Sequence, residues 1–483
     1  MIGIANQAFN PYLPQNEYIP DAEPYVFGDR VYIYGSHDRF GAPMFCMGDY
    51  VTYSAPIDDL SDWKYEGVIY RKNQDPKNKL GLRLLFAPDV VVGNDGRYYL
   101  YYAFDFMGIM GVAVADKPAG PFEFYGHVKH ADGSLWGRRK GDSFPFDPGV
   151  LVDDDGRVYL YSGFYTPVPA IATGGIKLEN RGGYVLELEQ DMLTIKVEEK
   201  LLFPKEGPGS FKNHEFFEAS SIRKYDGKYY FVYSSRHNHE LCYATSDRPT
   251  EGFEYKGTLV SNADVFWDGD ASTRPLNYAG NTHGGLLKLG QDYYIFYHRQ
   301  TNQSSYARQA CAERLLKDEA GNFYQAEMTS CGLNAGSLNG EGRYDARIAC
   351  NLMYRGETGR YDGKSPKKEL REHPYFTQDK PDADASAMQY IRNMRDGAVA
   401  GFKYFNLQED TEIQVTLSGK AEGQLQVADN LDFAGATDIP VVNVSGDRCS
   451  YSGKLLFNGE RKPIYFKYVG RGAVDFFQFE LRN

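Results

Sequence analysis

The sequence predicts an all-β protein: a five-bladed β-propeller followed by a β-sandwich of jelly-roll type. The first observation is a turn-then-aromatic-strand phrase that occurs five times: GDRVYIYGS at 28–36, NDGRYYLYYA at 94–103, DDGRVYLYSG at 154–163, YDGKYYFVYS at 225–234 and GQDYYIFYHR at 290–299. Aligning Tyr32, Tyr99, Tyr159, Tyr230 and Tyr294 gives spacings of 67, 60, 71 and 64 residues. The second is that ten to twelve residues before each aligned tyrosine stands an ionisable group: Asp21 in IPDAEP, Asp89 in FAPDVV, Asp147 in PFDPGV, Glu218 in FFEASS and His283 in NTHGGL. Five equivalent units, each delivering one polar group at the same place, imply radial symmetry about a shared centre.

The elements follow in order. From residue 1 to about 325 we expect five sheets of three or four short strands, because Asp-Gly turn signals lead into runs of Tyr, Phe and Val, which are strand formers. A further phrase, VAVADKPAGPFEFYG at 112–126, recurs as YATSDRPTEGFEYKG at 243–257 and more loosely as YSAPIDDLSDWKYEG at 53–67. In each, a strand ends in a Pro/Gly/Asp loop and the chain re-enters as an outer strand. The units are longer than the ~40–50 residues of common propeller repeats, so long loops are expected. A stacked solenoid is the alternative, but it calls for distinct capping repeats. Between about 326 and 385, GSLNGEGRYD, RGETGRYDGKSPKKEL and DKPDADAS read as a connecting segment, with Cys331 to Met353 able to supply a first strand of the next domain. From about 386 to 483, the alternating stretches TEIQVTLSG, GQLQVA, PIYFKYVG and AVDFFQFEL predict the sandwich. The division is therefore 1–325 and 326–483.

Composition narrows the function. The net charge of −12 argues against a nucleic-acid or anionic-membrane partner, either of which needs a basic face. Neutral ligands fit better, and 39 tyrosines supply flat apolar platforms. The opening MIGIANQAFN has no Lys or Arg and no apolar run of signal-peptide length, so a cytoplasmic protein is expected. Six dispersed cysteines without a C-x-x-C pair favour free thiols over disulfides or zinc.

Familiar catalytic motifs are mostly absent: there is no P-loop, no G-x-G-x-x-G after a strand and no G-x-S-x-G elbow. Asp153-Asp154-Asp155-Gly156 lacks the alternate ligands and terminal Glu of a calcium loop and reads as a polar hairpin turn. The ring of carboxylates on inner strands remains. Hydrolysing an acetal needs a proton on the leaving oxygen and either a nucleophile or an activated water opposite, and two carboxyl groups supply both. A propeller would bring Asp21, Asp147 and Glu218 to one axial pocket, where crowding raises the proton affinity of one of them. Glu218, between Phe217 and small residues, is the expected acid.

The phrases IPDAEPYVFGDRVYIYGS, FAPDVVVGNDGRYYLYYA, FDPGVLVDDDGRVYLYSG, FEASSIRKYDGKYYFVYSS and THGGLLKLGQDYYIFYHRQ resemble the successive blades of glycoside hydrolase family 43, over about residues 5 to 315. The resemblance implies an inverting mechanism with Asp21 as general base, Glu218 as general acid and Asp147 as the carboxylate that orients the acid and tunes it. Inversion implies carboxyl groups of Asp21 and Glu218 roughly 6.5–9.5 Å apart. His283 matches an axial histidine able to ligate calcium, directly or through water. Arg308 matches a late arginine that contacts the third carboxylate or the sugar. Phe86 matches a pocket aromatic, and Asp89 is expected to line the same pocket. Ala219-Ser220 departs from the Gly-Pro often found after the acid. The C-terminal YIRNMRDGAVAGFKYF resembles a family 6 carbohydrate-binding module, although all three tryptophans (63, 136, 267) lie in the first domain.

These readings together predict an exo-acting glycosidase that releases terminal α-L-arabinofuranosyl units from arabinoxylan or arabinan oligosaccharides. A β-D-xylosidase or galactofuranosidase on the same scaffold, and a non-catalytic carbohydrate-binding propeller, are the alternatives.

Overall fold

The computed structural model describes residues 7–268, 271–363 and 366–483. Five antiparallel sheets form the propeller. Four have four strands each and the fifth has three (Leu286–Leu289, Asp292–Thr301 and Ser304–Leu315). Each repeated aromatic phrase is the second strand of its blade: Arg30–Tyr34, Tyr98–Ala103, Val158–Gly163, Lys228–Ser235 and Asp292–Thr301. Each recurring Pro/Gly/Asp phrase is the hairpin into the outermost strand, as between Met110–Ala115 and Glu123–His127. The Asp153–Gly156 run is a hairpin turn, in which Asp153 N–H donates to Arg157 O at 2.8 Å.

The strands form here because alternate side chains meet the same face of the next blade. Tyr101, Val112, Val150 and Leu160 share one buried cluster between the second and third blades. Between the third and fourth blades, the Phe203 and Phe231 rings stack at 4.0 Å. Such ring pairs contribute about 0.5–1.5 kcal/mol beyond the area they bury.

The innermost strands, Glu23–Phe27, Asp89–Val92, Gly149–Val152, Phe216–Tyr225 and Leu286–Leu289, converge on the axis, and those of the first and fifth blades touch at the Ala22–Gly284 bridge. The chain's beginning fastens the ring from outside, where the Asn10 side chain donates to Ala312 O at 2.9 Å and accepts from Ala312 N–H at 3.0 Å on the edge of the three-stranded blade. Gly284 makes the closure possible, since a Cβ there would lie 1.9 Å from Phe296 O. Gly284→Ala is therefore expected to destabilise the protein by about 3 kcal/mol, seen as a lowered melting temperature.

The C-terminal domain is one ten-stranded sheet wrapped about a core that includes Phe402, Phe466, Phe476 and Phe479. TEIQVTLSG and GQLQVA fall in a single strand, Glu412–Ala428, while PIYFKYVG and AVDFFQFEL fall in Gly459–Arg482, which pairs with it along its whole length. Ile413, Val415 and Leu417 are fully buried, the two-residue period expected of a half-buried strand. Within the long pair, Gly472 has φ 79° and a Cβ would sit 2.0 Å from Lys420 O, so only glycine fits without strain. Strands Leu338–Asn339, Gly342–Asp345 and Asn351–Tyr354, from the Cys331–Met353 region, join this sheet.

The two domains are joined by buried polar contacts. Arg299 of the propeller donates to Ala349 O at 2.7 Å and Arg347 O at 2.6 Å and lies 3.8 Å over the Phe376 ring. Lys403 reaches back to Asp264 at 2.8 Å. Of the six cysteines none is paired and five are buried.

Candidate active site

Asp21, Asp147 and Glu218, from the first, third and fourth blades, line one cavity of about 280 Å³ at the end of the axis where the inner strands begin. Local backbone distortion aims each of them. Asp21 and Asp147 have φ of 60° and 43°, in the left-handed region that a non-glycine residue occupies at a cost of about 1–3 kcal/mol and that clusters at functional sites. The pairing of Phe216–Tyr225 with Lys228–Ser235 slips on both sides of Glu218, and Ala219 takes φ 69°, a bulge that re-aims the acid's side chain. The departure from glycine at residue 219 therefore falls where an alanine carries about 1–2 kcal/mol of strain.

The three carboxyl groups differ in their surroundings. Burial would raise the proton affinity of Asp21, but the Arg308 guanidinium, 3.0 Å away, outweighs it and holds Asp21 below the usual carboxylate range, while His298 accepts from Asp21 N–H at 3.3 Å. Arg308 is held by Asp38, to which it donates from Nε at 2.8 Å and from Nη2 at 3.0 Å. Glu218 is pushed well above the usual range, first by burial and then by the Asp147 charge. Among the described residues no hydrogen bond holds its carboxyl group. Asp147 is also raised, by burial and by Asp21, against the opposing pull of His283 at 3.6 Å. It accepts a hydrogen bond from Ala219 N–H at 3.2 Å, which ties it to the bulge behind Glu218. One carboxyl group is thus kept ionised and another protonated in the same pocket, the arrangement general acid/base chemistry needs.

Aromatic rings line the same cavity as the charges. Phe86 lines the pocket as expected, and the rings of Phe86, Phe146, Phe164 and Phe217 follow one another at 5.7, 4.7 and 5.9 Å. A cavity lined by both aromatic rings and charged groups suits a sugar ring, whose faces are C–H and whose edge is hydroxyl.

Asp89 does not line the pocket. It is fully buried, accepts from Tyr25 OH at 2.6 Å and Val150 N–H at 2.7 Å, and clamps the inner strands of three blades together. Its repeat position matches the others, but neighbouring blades supply partners that close over it.

His283 lies on the axis between Asp147 and Glu23, with Nε2 3.5 Å from Glu23 Oε1. Both of those atoms are buried without a hydrogen-bond partner. The carboxylates push His283 up to about 9 despite its burial, and the same negative field would attract a metal cation. A different trio, His214, Glu240 and Cys242, has its ligand atoms within 4.8 Å of one another. It is already closed by hydrogen bonds, Glu240 accepting from His214 at 2.7 Å and from Thr258 at 3.0 Å.

Several residues of the site are not marked in the sequence. Asp38, Glu23 and His298 lie outside the repeated position, and Arg360, Tyr361, Asp362 and Gly363 line the cavity from the second half of the chain. A lone signal for Asp38 and Glu23 is that each is an acid beside a predicted aromatic strand; for 360–363 there is none.

The family model described as glycosyl hydrolases family 43 matches residues 10–323. A xylosidase/arabinosidase of Thermoclostridium stercorarium is 46% identical over 480 residues, 98% of this chain and 99% of that one. Among solved structures, a family 43 β-xylosidase/α-arabinofuranosidase from a compost microbial metagenome, in complex with xylotriose, is 27% identical, with a TM-score of 0.52 over 66% of this chain and 98% of that one. A family 43 arabinoxylan arabinofuranohydrolase from Bacillus subtilis, 20% identical, matches at a TM-score of 0.51 over 98% of this chain and 97% of its own, a likeness of fold that spans both domains.

Proposed function

The chain belongs to glycosyl hydrolase family 43 and is a glycoside hydrolase, and on that premise we propose that it is an exo-acting, inverting enzyme that releases terminal α-L-arabinofuranosyl units from arabinoxylan or arabino-oligosaccharides. The observation that carries the reading is the division of labour in one cavity, with Asp21 held ionised by Arg308 and Glu218 held protonated by burial and Asp147. Asp21 draws a proton from water as that water attacks the anomeric carbon, and Glu218 gives its proton to the departing oxygen. Asp147 keeps the acid oriented through Ala219 and supplies the charge that keeps it protonated. Arg308 holds the base ionised, and Phe86 and its neighbouring rings take the apolar face of the sugar.

β-D-Xylosidase is the second reading, favoured by the xylosidase/arabinosidase names of the relatives. Turnover of nitrophenyl α-L-arabinofuranoside, β-D-xyloside and β-D-galactofuranoside decides between them. The reading predicts the highest kcat/KM on the arabinofuranoside, and a higher value on either other substrate overturns it.

Calcium belongs to the same proposal. His283 Nε2 and Glu23 Oε1, buried 3.5 Å apart without a hydrogen-bond partner, would hold it once the imidazole gives up its proton, with water completing its oxygen-rich shell. Bound there, it would supply positive charge beneath the carboxylates. For the C-terminal domain we propose bracing, supported by the buried Arg299 and Lys403 contacts.

The pH dependence has a defined sign. An acid with raised proton affinity works until the pH rises through its pKa, so the alkaline limb of the rate profile belongs to Glu218. Asp147→Asn removes a charge that raises it, and the limb is expected to move to lower pH in kcat/KM profiles.

A further inference from the structure

The mouth of the cavity is not built by the propeller alone. Residues 360–363 come from the stretch between strands Asn351–Tyr354 and Tyr375–Gln378 of the C-terminal sheet and line it beside Asn238, Asn281 and Ser305 of the propeller. The stretch is fastened by its backbone. Ala279 N–H donates to Gly359 O and Tyr361 N–H to Ala279 O, both at 2.9 Å, and Ser305 N–H donates to Gly363 O at 2.9 Å. Gly363 N–H donates to Ser305 Oγ at 3.0 Å, and the Tyr361 ring stacks on Tyr278 with centroids 5.0 Å apart. It is therefore a fixed strap whose side chains are held in place.

Arg360 lies across the strap's inner edge. It donates to His237 O at 3.0 Å, to Asn238 O at 3.3 Å and, from Nε, to Asp362 Oδ1 at 3.1 Å. A guanidinium has five N–H groups, so two remain without a hydrogen-bond partner among the described residues, while the second Asp362 oxygen faces Lys367 Nζ at 3.6 Å, an ion pair too long to be a hydrogen bond, which leaves that oxygen able to accept one. His237 and Asn238 follow the strand Lys228–Ser235, whose Ser234 pairs with Glu218. Arg360 thus rests on the blade that carries the acid. The oxygen protonated by an acid is the one that leaves, so the departing sugar lies on that side.

We propose that Arg360 and Asp362 form the subsite for the leaving sugar, donors and an acceptor set side by side to take its neighbouring hydroxyls. The inference rests on the glycosidase reading above. Donors and an acceptor side by side match the adjacent hydroxyls of a sugar, and a strap contributed by the second half of the chain makes both halves parts of one site.

The test compares kcat/KM on an arabinose-substituted xylo-oligosaccharide with kcat/KM on nitrophenyl α-L-arabinofuranoside, whose leaving group carries no neighbouring hydroxyls. The ratio of the two is expected to fall about 10- to 100-fold in Arg360→Ala and in Asp362→Ala, the range for losing hydrogen bonds to charged groups. A ratio within about twofold of the parent's in Asp362→Ala overturns the subsite; this variant decides because Asp362, unlike Arg360, holds none of the propeller's carbonyls. A parent protein that turns over neither substrate fails the glycosidase reading itself, before any variant is compared, and takes the subsite with it.

Discussion

Glu218→Gln is expected to lower kcat on arabinoxylo-oligosaccharides by about 10²- to 10⁴-fold, the usual worth of a positioned acid or base. The amide is nearly isosteric, and among the described residues no hydrogen bond holds the Glu218 carboxyl group, so the fold has little to lose by the change. What is lost is the proton. A sugar alkoxide is a poor leaving group and depends on that proton, whereas a dinitrophenolate leaves almost unaided. The loss should therefore be far smaller on a dinitrophenyl glycoside, and the alkaline limb of its pH profile should disappear. Equal losses on both substrates would remove Glu218 from the acid's role.

Asp21→Ala should be as damaging, about 10²- to 10⁴-fold, but with a different signature. Water must be deprotonated whatever group departs, so the loss should be similar on oligosaccharide and dinitrophenyl glycoside. The wild-type acid limb should lie below the ordinary carboxylate range, because the Arg308 guanidinium holds Asp21 ionised. The variant should still fold, since Arg308 keeps its paired hydrogen bonds to Asp38, and an unchanged melting curve would check this. Proton NMR of the first turnovers should show a sugar of inverted anomeric configuration; retained configuration would exclude Asp21 as the base.

The five blades were legible because a propeller repeats one local pattern, a turn followed by an aromatic strand, and local patterns survive in a linear chain. Asp21, Asp147 and Glu218 were legible for the same reason, since each stands 11 or 12 residues before the aligned tyrosine of its phrase and that distance sets its height on the axis. Asp89 shows where this logic stops. It occupies the equivalent position, but Tyr25 from the blade before and Val150 from the blade after reach it and turn it into a clamp.

The amino-acid order by itself determined the fold class, the height of each ionisable group on its blade and the family. Only the tertiary structure decided which carboxyl group keeps a proton, which is walled off, and what covers the mouth. The partners that settle those questions are far away in the chain: Asp38 lies 270 residues from the Arg308 it orients, and Arg360 lies 123 from the His237 carbonyl it grips. A periodic code can specify where a side chain stands along a strand. The electrostatic field at the axis depends instead on which side chains meet there, among them Asp21, Asp147, Glu218, His283 and Arg308, and no repeat encodes their differences.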